Sequence, residues 1–393
     1  MFSSIFSMPA VPYADPWCFG LDERLRMLWR SKCRVAYFYD QANNSTFRYR
    51  AYNMVQAINA GMNDVSASYF FRDDLHRLAE IAEAADMLVV CRSLYDYQLS
   101  RLIAAFRHRR KLVLFDIDDL VFDIDFVPLI MNTLGQDPEN QKTWDYWFAY
   151  TSRIGMALKQ CDAVLTTNAF LADQIQKFSG LPVAVVPNFI NKEQFNFSSR
   201  IYAAKAALAP GEDGMIHFGY FSGSPSHNRD FALAIPALEC LLEKHKDVGL
   251  VIVGYIEAGP QLKRFQSRIR YYPFHDYVNL QRLIASVEFN LIPLQYNTFT
   301  NCKSELKYFE AAIAGTLSIA SPSYTYANAI CDGDTGYFAE ACSWEKVMRT
   351  AIDCLGDYRE MAERAYRNAC EKYAWFNQCE CILAALGLSK YAE

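Results

Sequence analysis

Short runs of consecutive apolar residues alternate along this chain with longer segments whose apolar positions recur every three or four residues. Runs of the first kind predict strands buried on both faces, and segments of the second kind predict the helices that cover them. In the first half the strand-like runs are Arg34–Tyr39, Val65–Tyr69, Met87–Cys91, Lys111–Phe115, Ala163–Thr166 and Val183–Val186. Between them the helical period covers Phe47–Asn59, Asp74–Ala84, Tyr97–His108, Trp144–Lys159 and Ala169–Phe178. The chain before Arg34 reads as irregular, and a long acidic loop runs to residue 140. Pro187–Asn191 ends the series, and the polar stretch Lys192–Gly214 reads as a linker. The alternation then restarts, with strands at Met215–Phe221, Val248–Val253, Arg268–Tyr272, Phe289–Leu294 and Thr316–Ala320. Helices are expected at Asp230–His245, Tyr277–Ser286, Trp344–Leu355 and within Tyr358–Leu386. Strand and helix in strict turn predict a doubly wound α/β sheet, and two such series predict two domains of ~180 residues each. Ligands of such sheets bind where loops converge at the carboxyl ends of the strands.

The totals agree with that picture. A chain of 393 residues exceeds one ordinary core, and 52% hydrophobic with 21% charged residues is a globular composition. A net charge of −5 leaves no global basic footprint for nucleic acid. The basic run Arg107–Lys111 reads as the solvated end of a helix. The 12 cysteines are scattered, many within apolar runs, with no zinc-like spacing, so reduced buried thiols in a cytosolic protein are expected. Neither a secretory signal nor an apolar run long enough to span a bilayer is expected. The aromatic share, 15%, is high enough to line a sugar site as well as a core.

Four segments carry candidate chemistry. Asn301–Gly315 follows a strand and reads as the start of a helix with Lys303, Lys307 and Glu310 on one stripe and Leu306, Phe309 and Ile313 on another. Cations and free N–H groups at a helix start suit a phosphate, while a carboxylate one turn on suits a sugar hydroxyl. Ser304 belongs to the same turn. Gly219–Asp230 is a small-residue loop between a strand and a helix; Gly223 and Ser224 let a ligand approach the backbone, with His227 and Arg229 beside it. Leu114–Asp125 holds five aspartates, of which Asp116, Asp118 and Asp119 end a strand and face the expected cleft as acid/base or hydroxyl-orienting groups. Asn43–Arg50 follows the first strand and places Arg48 and Arg50 at a helix start, against the dipole preference, with Asn44 in the loop. His217 and His275 read as structural or surface residues, and no histidine has metal-ligand spacing.

With Val186–Ile190 at the junction, Gly219–Phe231 and Lys303–Glu310 through Gly315 in this order, the chain resembles retaining glycosyltransferases of the GT-B fold, glycosyltransferase family 4-like. The resemblance runs from about residue 34 to 375 and is nearest to bacterial enzymes of surface-polysaccharide assembly. It implies two Rossmann-like domains facing across a cleft. Residues 1–190 would bind the acceptor and 191–375 the nucleotide-sugar, while 376–393 would form a helix returning to the first domain. It implies donor contacts from Gly223, Ser224, His227, Arg229, Lys303, Ser304, Lys307 and Glu310, with Glu310 on the nucleotide ribose. Acceptor contacts would come from Asn44, Arg48 and Arg50, and catalysis from Asp116, Asp118 and Asp119. The family's first glutamate falls at Cys302, and its usual histidine loop is Asp116–Asp119 here.

The expected activity is hexosyl transfer to a glycan or lipid-linked glycan, with retention, no cofactor and no metal. The partners would be the nucleotide-sugar and that acceptor, with no nucleic acid. The protein would be cytoplasmic, with association at the inner membrane face left open. Two rivals remain. Val113–Leu120 looks like the first motif of haloacid-dehalogenase-type phosphohydrolases, with Asp116 as nucleophile, Asp118 as acid/base and magnesium as cofactor. The missing first glutamate motivates a non-catalytic glycosyltransferase-like subunit.

Overall fold

The computed structural model describes residues 1–61, 64–223, 227–256 and 259–391. The first half builds one parallel sheet from β1 (Cys33–Phe38), β2 (Val65–Phe70), β3 (Met87–Cys91), β4 (Leu112–Ile117), β5 (Ala163–Thr166) and β6 (Val183–Val185), in the order β2-β1-β3-β4-β5-β6. The second half builds another from β7 (Ile216–Ser222), β8 (Val248–Gly254), β9 (Ile269–Tyr272), β10 (Phe289–Ile292), β11 (Leu317–Ala320) and β12 (Tyr337–Phe338), in the order β9-β8-β7-β10-β11-β12. All the strand pairs are parallel, so each crossover carries a helix back over a face of the sheet. Strand order reverses between β1 and β3 and again between β7 and β10, which is where such sheets hold ligands.

Every strand except β12 lies within two residues of its expected position. A strand with helices on both faces must be apolar throughout, and β2, β3, β7 and β11 are buried along their length or nearly so. Strand β12 is two residues long at an edge, too short for any periodicity to show.

The connections depart further from the expectations. Lys192–Gly214 is not simply a linker: Asn191 caps a helix over Lys192–Lys205 by accepting from the Gln194 N–H at 2.9 Å. Its buried face carries Gln194, Ser198 and Lys205 beside Phe197 and Ile201, so polar residues hide the amphipathic pattern. The acidic loop contains a helix, Val127–Thr133, and the irregular start contains Leu21–Leu28. Asp230–His245 divides into Asn228–Ala232 and Ile235–Lys244, with Pro236 in the first turn of the second piece. Asn301–Gly315 is helical only over Leu306–Ala312. A separate turn, Thr298–Asn301, is capped by Asn297, and Cys302–Glu305 lies outside both helices. The interruption sinks Phe299 and Cys302 into the apolar cluster under the first sheet. Tertiary burial thus overrides helix continuation there.

The halves exchange their ends. The Phe2 N–H donates to Ser286 O at 2.9 Å, Asn279 brackets the Val11 backbone at 2.9 and 3.1 Å, and Arg282 donates to the carbonyls of Phe6 and Met8. The first eleven residues therefore lie on the second domain. Helix Tyr358–Tyr373 packs on Leu306–Ala312, and helix Cys379–Ala385 packs on Asn53–Ala60 of the first domain. No helix among the described residues is long and apolar enough to cross a membrane.

Candidate functional site

The loops after β1 and β7 meet in a cavity of about 380 Å³. The second domain contributes Phe221, Ser222 and Gly223 at the end of β7, Val253 from β8 and Asn290 from β10. The first contributes Asn44, Ser45, Arg48 and Tyr49, while His227, Lys307 and Glu310 complete the polar lining. Phe274, His275 and Tyr277 close one end. The volume suits a small organic ligand, and the site lies at the switch point of the second sheet.

Among the described residues, Lys307 is a cation of this cavity without an ion-pair partner. Its ammonium sits 4.6 Å from the centre of the Tyr220 ring, and no described carboxylate comes within ion-pair distance. Burial pushes its pKa down to about 8, against the pull of Asp230 and Glu310. A cation held without a partner is costly until an anion arrives.

Glu310 is the opposite case, because its Oε1 takes three hydrogen bonds. The Tyr49 hydroxyl donates at 2.6 Å, the Gln194 amide at 2.9 Å and Arg48 at 3.3 Å. Among the described residues no donor reaches Oε2. Arg48 is itself clamped between the Tyr49 and Tyr277 rings, 4.2 and 4.3 Å from their centres. Arg48 and Tyr49 begin a π-helical turn, Arg48–Tyr52, that precedes helix Asn53–Ala60. Single π-turns are rare and recur at functional sites.

The next residue in that turn belongs elsewhere. Arg50 grips both oxygens of Asp116 at 2.7 and 3.0 Å and also donates to Val186 O and Asn188. Both side chains of the pair are 0% exposed. Burial raises the Asp116 pKa to about 6 although Arg50 opposes it. Asp116 and Arg50, expected as catalytic and acceptor-binding, are thus packed inside the first domain and do not line the cavity. Asp118 and Asp119 lie nearer the surface. Asp118 accepts from Arg92 and from the Thr46 hydroxyl, both at 3.0 Å. Burial is the largest influence and works to raise its pKa, but Arg92, Arg50 and the Thr46 hydroxyl together outweigh it, and the carboxyl lies below its ordinary value. Asp119 pairs with Lys303 at 2.8 Å across the domain boundary, so Lys303 is already neutralised.

The other expected donor residues divide similarly. Gly223 and His227 line the cavity. Burial holds the His227 pKa below its ordinary value, and its Nδ1 lies 3.2 Å from Asp230. Arg229 reaches out of the cavity to the first domain, donating to the Asn132 carbonyl and, at 2.7 Å, to its side-chain oxygen. Gly135 has φ +67° there, and a Cβ would lie 3.2 Å from that guanidinium. Ser304 is buried outside the lining, and Ser224 lies outside the described residues. Cys302 is 0% exposed, and its carbonyl accepts from Asn168 at 3.0 Å. Asn44 does line the cavity, and its carbonyl accepts from Arg48 at 3.0 Å.

Three residues escape the sequence reading. Tyr49 and Gln194 donate hydrogen bonds to Glu310, and nothing local marks them. Arg92 directly follows β3 at the first switch point with φ 32°, a left-handed conformation that arginine rarely takes. A charged residue directly after the apolar run Met87–Cys91 was the available signal.

Residues 217–357 match the family model described as Glycosyl transferases group 1, a span that includes Lys303, Lys307 and Glu310. No curated protein matches the chain in sequence. Among solved structures, the chain is similar to HepE from Anabaena in complex with UDP and glucose, with TM-score 0.59 and 13% identity over 91% of this chain and 100% of that one. It is also similar to sucrose-phosphate synthase from Thermosynechococcus elongatus, with TM-score 0.55 and 12% identity over 91% and 98% of the two chains. A third is WaaG, a glycosyltransferase involved in lipopolysaccharide biosynthesis, with TM-score 0.52 and 14% identity over 90% and 100%. The fold is therefore the two-domain GT-B fold of glycosyltransferases.

Proposed function

We propose that the protein transfers a sugar from a nucleotide-sugar to an acceptor hydroxyl. One observation carries the reading: Lys307, a partly desolvated ammonium that no described carboxylate pairs, and Glu310, whose Oε2 no described donor reaches, share one cavity at the switch point of the second sheet. That pairing suits a diphosphate joined to a ribose. The family-model match over this domain supports it, as does the UDP held by the Anabaena neighbour.

In the reaction the bond from the anomeric carbon to the diphosphate oxygen breaks, and a bond to the acceptor oxygen forms. The acceptor hydroxyl passes its proton to the departing nucleoside diphosphate, whose oxygen takes up the electron pair of the broken bond. Lys307 stabilises the charge that builds on the leaving diphosphate. Asp118, held ionised by Arg92, orients the acceptor hydroxyl at the carboxyl end of β4, beside Asp119. Lys307 carries the diphosphate charge without a metal, the anomeric configuration is retained, and the acceptor is a glycan or lipid-linked glycan of a surface polysaccharide. These finer points, with hexosyl specificity, family 4 membership and a cytoplasmic site of action at the inner membrane face, belong to the same proposal.

The test is a thermal-stability screen against UDP-, GDP-, ADP- and dTDP-sugars, followed by a transfer assay with the ligand that stabilises most. Stabilisation by one class of donor, lost in Lys307→Met, supports the reading; no stabilisation by any of them contradicts it. The phosphohydrolase reading loses ground in the structure, because Arg50 occupies both oxygens of its would-be nucleophile, Asp116. Cys302 favours the non-catalytic subunit: the position expected to touch the donor sugar lies in the first domain's core. Tight donor binding with neither transfer nor donor hydrolysis would select that second reading.

A further inference from the structure

Two separate parts of the chain converge on a single oxygen of Glu310 in a third. Tyr49 and Arg48 come from the π-turn of the first domain, Gln194 comes from the connecting helix Lys192–Lys205, and the carboxylate comes from the second domain. Tyr49, Arg48 and Gln194 all donate to Oε1. Oε1 is thereby held, no described donor reaches Oε2, and Glu310 lines the cavity. Tyr49 is 4% exposed and Gln194 0%, so neither spends its hydrogen bond on water. A structural tie between domains needs no such asymmetry, since it would satisfy both oxygens of a buried carboxylate.

We propose that Tyr49, assisted by Gln194 and Arg48, is a positioning residue that aims Glu310 Oε2 at the ribose hydroxyls of the bound nucleotide. The inference rests on the nucleotide-sugar reading above. It adds that the donor site is not complete in the second domain alone. The carboxylate is set only when the first domain and the connecting helix are docked against it, so nucleotide binding and domain closure reinforce one another. A long-range ordering of one acceptor by donors from another domain costs nothing at the moment of binding, which is how preorganisation raises affinity.

The experiment uses the full chain and calorimetric binding of two probes, UDP and 2′,3′-dideoxy-UDP, with the GDP or ADP pair substituted where the stability screen selects another base. The wild type is expected to prefer the ribose form. Tyr49→Phe keeps the ring that packs against Arg48 and removes only the hydroxyl. It is expected to weaken UDP roughly tenfold, the scale of one hydrogen bond to a charged group, and to leave dideoxy-UDP unchanged. Gln194→Leu provides a second variant with the same expected ribose-selective loss. Equal weakening of both probes, or no change in either, overturns the inference and leaves Tyr49 as a fold or diphosphate contact. Failure of the wild type to bind any nucleoside diphosphate overturns the underlying reading itself, and is distinguishable because it does not depend on either variant.

Discussion

Replacing Lys307 with methionine should make the empty protein more stable while removing its ability to hold a diphosphate. The lysine pKa falls from 10.5 to about 8 on folding, chiefly because the ammonium loses water. At 1.36 kcal/mol per unit this is a penalty of about 3 kcal/mol carried by the folded state at neutral pH. The contact with the Tyr220 ring returns about 1 kcal/mol. Methionine fills a similar volume without charge, so Lys307→Met should gain about 2 kcal/mol net, or about 2–5 °C in melting temperature. The sign with pH is fixed by the direction of the shift. A lysine whose folded pKa is depressed penalises folding fully below about pH 8, and the penalty fades between there and its unfolded value of 10.5. Urea denaturation of both proteins at pH 7 and pH 10 measures this. The variant should be the more stable at pH 7, and the gap should shrink at pH 10. A variant less stable at pH 7, or a gap that does not move with pH, would refute the claim that this cavity holds an unpaired, desolvated cation.

The remaining predictions follow from the same geometry. Nucleoside diphosphate affinity should be flat up to about pH 8 and then fall about tenfold per unit as Lys307 loses its proton, a slope that isothermal titration should find missing in Lys307→Met. Asp116→Asn should destabilise by about 3–5 kcal/mol in urea by leaving the Arg50 charge buried without its partner, whereas Asp116→Leu combined with Arg50→Met should cost less than the single change. Asp118→Asn should leave donor binding unchanged in calorimetry and lower the transfer rate.

Strands were readable because a parallel sheet covered on both faces demands largely apolar runs, such as Met87–Cys91 and Val248–Gly254. Helices with a clean amphipathic stripe, such as Tyr97–His108, were equally plain. Lys192–Lys205 was not, because its buried face mixes Gln194 and Lys205 with Phe197, and each polar group finds a partner that only the fold supplies. The site divides on the same line. Lys307 and Glu310, one turn apart on a true helix, could be paired from spacing alone. Lys303 could not be separated from them without knowing that Cys302 sinks into the other domain. Arg48 and Arg50 look alike in sequence, yet a π-turn sends one to Glu310 and the other to Asp116.

The central claim is that a nucleoside diphosphate lies in the cavity between β7, β10 and the π-turn, with its charge on Lys307. A crystal structure of the protein soaked with the best-stabilising nucleotide-sugar tests it most directly. Diphosphate oxygens should lie within hydrogen-bond distance of Lys307 Nζ, and a ribose hydroxyl on Glu310 Oε2. A nucleotide bound elsewhere, or bound here with Lys307 turned away from its phosphates, would contradict it.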